Sequence, residues 1–272
     1  LQFYDASENN ASSALRYCVI EKALTNIFCE YTTQPSLMYS TVRQGVNYNI
    51  ELTLSSSIDI DGVVSRDCPV GLSLWDNSSA NLVATSFDNC SNCCVRVDGN
   101  NNHMEFYYCN MNNSNIGVHY LNPNMDIPSY LSNNRITFNN VTSPVGLNGG
   151  TVINHNWETN DYSIFGVIGV NADWNSSDTA HLNIDAGSIL RFAESIEFRV
   201  SYWNNPHMYK GRLFAEGTPE APIIFTSLSG ESGGWNGLRF FDGAQTSSLK
   251  HCVFEKGNDC NVYIENTSKV HF

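Results

Sequence analysis

The sequence predicts an all-β solenoid, a parallel β-helix with coils of about 22–27 residues. Three observations predict it. A six-residue frame recurs along the chain, its copies are nearly evenly spaced, and no segment sustains a 3.6-residue apolar period.

The frame reads large apolar, two variable residues, Cys/Ser/Thr, one variable residue, large apolar. It occurs as LRYCVI (Leu15–Ile20), LMYSTV (Leu37–Val42), LVATSF (Leu82–Phe87), FYYCNM (Phe106–Met111) and LKHCVF (Leu249–Phe254). NNRITF (Asn133–Phe138) keeps only the second half, and LSSSIDIDGVV (Leu54–Val64) has the length and alternation of a further copy but fits poorly. The last apolar positions fall at 20, 42, 87, 111 and 138, a spacing of 22 to 27 with one step doubled, and again at 254 after a gap of 116. Each period holds about three short apolar runs, such as YCVI, IFCEY and SLMYS, separated by polar turn residues. Such runs suit short strands, and one coil of them cannot bury its inner face, so coils must stack.

Stacking explains the fourth frame position. The first, fourth and sixth residues share apolar or small character, which strict alternation along one strand would place on opposite faces. The chain therefore bends between the first and the fourth. Cys18, Ser40, Thr85, Cys109 and Cys252 are then expected to form an inward column of small side chains, with the thiols packed as small hydrophobes.

Composition narrows the function. With 272 residues and 42% apolar content the chain can bury a large core as one long domain or two smaller ones. The net charge is −13 with only 14 Lys+Arg, and the cations are not clustered, so nucleic acid is not expected as a partner. No run of 18 apolar residues is present to span a bilayer. Asn is abundant at 35 residues, which suits many stacked turns because Asn tolerates left-handed backbone. The seven N-x-S/T sequons are close to what 35 Asn and 45 Ser+Thr produce at random, so they carry no reading of glycosylation.

Nine cysteines forbid complete internal pairing. Cys90-x-x-Cys93-Cys94 resembles half a zinc site, but no second half completes it. A local disulfide from Cys90 to Cys93 or Cys109 is the alternative to free buried thiols. Asp59-Ile60-Asp61-Gly62 has the alternate aspartates of a calcium loop, although an EF-hand would need Glu where Val70 stands. Asp59 and Asp61 are thus candidate metal ligands, set against a solvated acidic turn. No cofactor is expected.

The chain also repeats over a long interval. LQFYDASENNASSALRYCVIEK (Leu1–Lys22) and LRFFDGAQTSSLKHCVFEK (Leu238–Lys256) match at Leu, Phe, Asp, Ser, Leu, Cys, Val, Glu and Lys, with Leu1 aligned to Leu238 and Cys18 to Cys252. The first copy is slightly longer, and the loop between Asp5 and Leu15 holds the excess. This phase predicts that the chain begins inside one module and stops inside another, as an excerpt of a longer protein.

From Gly149 to about Phe240 the text changes, with HLNIDAGSILRF, then GRLFAEGTPEAPIIFTS, then GGWNGLRFFDG. Leu182–Phe192, Gly211–Ser227 and Trp235–Phe240 follow the order of pieces seen in secreted, mostly bacterial, right-handed parallel β-helix repeat proteins. The segment resembles those modules over about ninety residues, and residues 1–142 resemble their coils less sharply. The resemblance implies a right-handed winding and a secreted, extracellular or cell-surface location. On the residues themselves, Gly187 and Gly217 fall at turns that call for positive φ, Pro222 opens a strand, and Ile223, Phe225, Leu238 and Phe240 alternate as a half-buried strand does. Ser201–Lys210 (SYWNNPHMYK) departs from the family pattern and is expected to protrude. Its Tyr202, Trp203, His207 and Tyr209 either cap the coil stack or contact a glycan or partner, with Trp75 and Tyr120 as further candidate glycan contacts.

Parallel β-helices also carry polysaccharide lyases and hydrolases, which need convergent carboxylates or a cationic base. The polygalacturonase pattern would show an Asp pair, G-H-G and R-I-K; here only Arg135-Ile136-Thr137 stands, and the seven histidines are scattered. No catalytic residue is assigned. The organisation expected is a coil stack over 1–142, an inter-module junction over 143–180 and the start of a next module over 181–272. The function expected is that of a non-catalytic extracellular repeat protein, a module of a surface fibre, filament or adhesin-like stalk whose partners are neighbouring copies of itself. A carbohydrate-binding module and a polysaccharide-cleaving enzyme are the alternatives.

Overall fold

The computed structural model describes residues 1–4, 13–32, 35–99, 102–130, 135–173, 175–204, 207–265 and 269–272. Their regular structure consists of short strands and no helix, stacked as a parallel β-solenoid of about ten turns. One antiparallel pair departs from this, Tyr202–Asn204 with His207–Tyr209. The chain forms two compact units, one of residues 1–121 with 130–145 and one of residues 122–129 with 146–272.

In the first unit each coil has three strand runs and three corners. Along one side, Ala14 pairs with Ser36, Ser36 with Asp59, Ser57 with Ser79 and Ser79 with His103, all parallel. These partners stand one coil apart, at the coil length the frame predicts. The first corner accounts for the frame. Its third residue is left-handed in successive copies: Tyr17 (φ 55°), Tyr39 (49°), Gly62 (63°), Ala84 (47°) and Tyr108 (57°). One such residue redirects the strand, so the first and fourth positions can both point inward. A second corner repeats the device with Lys22, Gln44, Asp67, Asn89, Asn113 and Asn140.

At several first corners the residue after the turn closes the local backbone. Ser40 Oγ donates to the Met38 carbonyl at 2.7 Å, Thr85 Oγ1 to Val83 at 3.0 Å and Cys109 Sγ to Tyr107 at 3.7 Å. Between coils, the Cys18 N–H donates to Ser40 Oγ at 3.0 Å. Small donors therefore suit this position, because the bend leaves a carbonyl that a side chain one step away can satisfy. The poorly fitting copy is real: Ile60 pairs in register with Leu37 and Leu82, and Val63, fully buried, stands in the column. In the half-frame copy Ile136 is buried and Asn133 lies outside the described residues.

A buried amide ladder lines the inside near the second corner. Asn26 Nδ2 donates to Asn49 Oδ1 at 3.0 Å, and Asn49 Nδ2 donates to Ser65 Oγ at 3.0 Å and to the Val42 carbonyl at 2.9 Å. The Gly45 N–H donates in turn to Asn49 Oδ1 at 3.1 Å. Buried polar groups persist only when satisfied in this way.

The second unit has coils of unequal length. Gly150 pairs with Ile168, Ile168 with Phe198, Phe198 with Leu238 and Leu238 with Val262, at intervals of 18, 30, 40 and 24 residues. The extra chain leaves at the corners, as in the hairpin between Val200 and Gly211. Trp157, Phe192, Phe198, Phe225, Trp235 and Phe240 are fully buried, with Phe192 stacked on Trp235 at 4.4 Å and 11°. The first unit is filled mainly by Ile, Leu, Val and Cys, whereas this one adds large aromatics to its Ile, Leu and Val.

Stretch 143–180, expected as a junction, carries strands Gly150–Val152, His155–Trp157, Asp161–Ile164 and Ile168–Val170, paired with later coils of the second unit. Gly187 has the expected positive φ of 79°. Gly217 does not; its requirement is space, since a Cβ there would lie 2.8 Å from the His251 carbonyl oxygen. Pro222 precedes the strand Ile223–Ser227 as anticipated.

Candidate functional site

An outward cleft lies on the parallel sheet of the first unit that contains Ser57–Asp61, Ser79–Val83 and His103–Tyr107. Alternation sends Ile58, Ile60, Ala80, Leu82 and Phe106 toward the core and the intervening residues outward. Register then aligns the outward residues in rows, Ser57–Ser79–His103 beside Asp59–Asn81–Glu105. These six line a cleft of about 150 Å³. Beyond it runs the row Met38–Asp61–Val83–Tyr107, and then the first corner with its exposed tyrosines.

Polar groups in the cleft are tied only loosely to one another. Asn81 Nδ2 reaches Asp59 Oδ1 at 3.5 Å, His103 Nε2 stands 3.3 Å from Glu105 Oε1, and the Tyr107 hydroxyl donates to Glu105 Oε2 at 3.3 Å. Asn81 Oδ1 has no hydrogen-bond partner. At the rim the Tyr39 hydroxyl donates to Asp61 Oδ2 at 3.3 Å, and the Asp61 carboxylate raises the Tyr39 phenol above its ordinary range. The Tyr17 and Tyr39 rings stack at 5.6 Å and 18°, with Tyr17 80% exposed. Carboxylates, an amide, an imidazole and hydroxyls open to solvent beside flat aromatic faces can hydrogen-bond and stack against a polyhydroxylated ligand.

Among the described residues no group of three or more His, Cys, Asp or Glu is arranged to hold a metal. Asp59 and Asp61 both lie on the outer face, but Asp61 is engaged by Tyr39 and Asp59 by Asn81. The Cys90-Cys93-Cys94 run is buried and all nine cysteines are free thiols, with neither Cys90–Cys93 nor Cys90–Cys109 joined.

The aromatic segment of the second unit folds as the hairpin Tyr202–Asn204/His207–Tyr209. Tyr202 and Tyr209 rings lie 5.9 Å apart, Tyr202 meets Phe241 edge-on at 6.4 Å, and Arg199 lies over Tyr202 at 5.6 Å. Met208 packs on Gly243, where a Cβ would come within 2.6 Å of Met208 Cγ. The hairpin is thus laid against the 241–243 loop. The strand containing Trp203 is described but its side chain is outside the described residues. Tyr120 is no surface contact: it is buried and hydrogen-bonded to the Tyr130 hydroxyl. Trp75 is covered by Arg96 at 4.7 Å.

The column residues divide by burial. Ser40, Thr85 and Cys109 are buried, Cys18 and Cys252 are half-buried. Ser57, Ser79, Asn81, His103 and Glu105 escaped the sequence reading. The signal was present in SIDID, SANLV and HMEFY, whose outward positions align only once register is known.

Comparison of the chain with protein-family models, curated proteins and solved structures finds no match.

Proposed function

We propose that the chain is a structural module of an extracellular tandem-repeat protein, stacking on neighbouring copies of itself as part of a surface fibre or stalk. The observation that carries this reading is geometric agreement between the two similar segments. Tyr17 and His251 are both left-handed (φ 55° and 45°), and so are Lys22 and Lys256 (65° and 63°). Cys18 Sγ donates to Arg16 at 3.2 Å and Cys252 Sγ to Lys250 at 3.4 Å, each two residues back. Other first corners share these features, so the support lies in their coinciding with the matched sequence, and stacked units of this kind gain stability from each neighbour. The test is a chain lengthened by one copy of the repeat, unfolded in urea beside the original. A higher midpoint for the longer chain supports stacking; an added transition at an unchanged midpoint overturns it.

The cleft favours a second reading, a glycan-binding role for the same module. Titration calorimetry with neutral oligosaccharides measures it directly. Asp59→Ala is expected to weaken binding about tenfold by removing a charged acceptor, and the absence of saturable binding to the unaltered chain rejects the reading.

A further inference from the structure

Cys68 and Cys90 face each other across adjacent coils of the first unit. They are register partners on parallel strands, and their Sγ atoms lie 3.9 Å apart. Both are sealed, at 5% and 0% exposure. Neighbouring strands are about 4.8 Å apart, inside the roughly 4.4–6.8 Å between Cα atoms that a disulfide spans. Each cysteine follows a left-handed residue of the second corner, Asp67 and Asn89, so the two thiols leave the backbone alike. Immediately beyond the pair the ladder shifts register between Cys90 and Cys93, which leaves the strands room to adjust. Cys94, on the same strand as Cys90, also hydrogen-bonds to it, whereas Cys68 faces it as a register partner on the adjacent coil. Cys93 packs with Val70 and Ile116, and Cys109 Sγ is directed at the Leu82 and Tyr107 carbonyls of the first corner.

We propose that Cys68 and Cys90 are a covalent cross-linking site, closing to a disulfide between adjacent coils when a small-molecule disulfide is the oxidant. Cys68, the more exposed of the two, loses its proton and attacks one sulfur of the oxidant, releasing the first small thiolate. Cys90 then loses its proton and attacks Cys68 Sγ in the mixed disulfide, releasing the second. One S–S bond is broken and one formed; the two protons pass to the leaving thiolates, so the oxidant is reduced to two thiols. Hydrogen bonds to Cys68 and Cys94, and after them burial, raise the Cys90 thiol well above its ordinary range. Exchange therefore proceeds during folding or local opening, ahead of complete burial.

The experiment refolds the reduced chain in a mixture of oxidised and reduced glutathione, blocks remaining thiols, and maps disulfides by proteolysis and mass spectrometry without reduction. The expected product joins the Cys68 and Cys90 peptides with loss of two hydrogens. Joining coils 22 residues apart raises the folding equilibrium constant by roughly a hundredfold, read as a higher urea midpoint that reductant reverses. Cys68→Ser abolishes that gain and Cys109→Ser keeps it; the peptide map of the unaltered chain decides the matter even if a variant fails to fold. Cys90 linked to Cys93, Cys94 or Cys109, or both thiols found blocked after refolding, overturns the proposal.

Discussion

Asn49 is the hub of a buried amide ladder: it accepts from Asn26 Nδ2 at 3.0 Å and donates to Ser65 Oγ at 3.0 Å, and no part of it reaches solvent. Replacing it with Ala leaves the Gly45 N–H without its acceptor and takes a donor from the Val42 and Arg66 carbonyls, while Asn26 keeps the Arg43 carbonyl and Ser65 the Gly71 carbonyl. Each unsatisfied buried group costs about 1–3 kcal/mol. Asn49→Ala is expected to lower the unfolding free energy by roughly 3 kcal/mol or more, measured by urea denaturation. Asn26→Ala, at the end of the ladder, should cost less.

Ala84 occupies a left-handed corner position with φ 47°. A Cβ in that conformation costs roughly 1 kcal/mol that glycine avoids, although glycine surrenders some of the gain as unfolded-chain entropy. Ala84→Gly is expected to raise stability by up to about 0.5 kcal/mol, whereas glycine within a strand lowers it. A urea midpoint below that of the original chain would contradict the corner's role.

Alkaline pH should weaken the fold. Burial pushes the Cys29 thiol up to about 11 and the Cys93 thiol up to about 12. Unfolded thiols ionise near about 8.5. The folded chain therefore holds protons that the unfolded chain gives up, so this stability is complete below about pH 8.5 and drains away as pH rises toward 11 and 12. The loss is roughly 3 kcal/mol or more per thiol by the top of that window. Unfolding free energies should hold level from pH 7 to about 8.5 and fall above it, and the slope of that fall should flatten in Cys29→Ala.

Trp235 lies flat against Phe192 at 4.4 Å, fully buried, and donates through Nε1 to the Glu255 carbonyl at 2.9 Å. Truncating a buried aromatic costs about 3–5 kcal/mol. Trp235→Ala is expected to fall in that range, and Trp235→Phe, which keeps the stack and loses the N–H, to cost about 1–3 kcal/mol. Thermal unfolding distinguishes the two.

Much of the fold could be read in the sequence because it rests on recurrence. The frame placed Ser40, Thr85 and Cys109 beside bends, and the structure supplies the cause in the left-handed residue before each. Val63 was hidden because valine is not the Cys, Ser or Thr that marks the fourth frame position elsewhere, although Gly62 before it makes the same left-handed corner. Coil width in the second unit was not legible: the long interval between the partners Phe198 and Leu238 depends on how much chain leaves at corners, and no local pattern encodes that. The cleft was equally hidden. Asp59 was singled out for its spacing to Asp61, yet its neighbours in space are Asn81 on one side and Ser36 on the other, brought alongside by register. The disulfide partners considered for Cys90, Cys93 and Cys109, both follow it in sequence, while the thiol at 3.9 Å belongs to the preceding coil.

The hairpin between Val200 and Gly211 has one further consequence. Ala180 still pairs with Gly211 and His181 with Arg212, so the ladder resumes in step after the excursion. Corners are therefore joints into which new chain can be spliced while the strands on either side keep their partners. A protein engineer could graft a peptide epitope or an enzyme's recognition loop there, and evolution has the same freedom to diversify the outside of the molecule while its inside stays fixed.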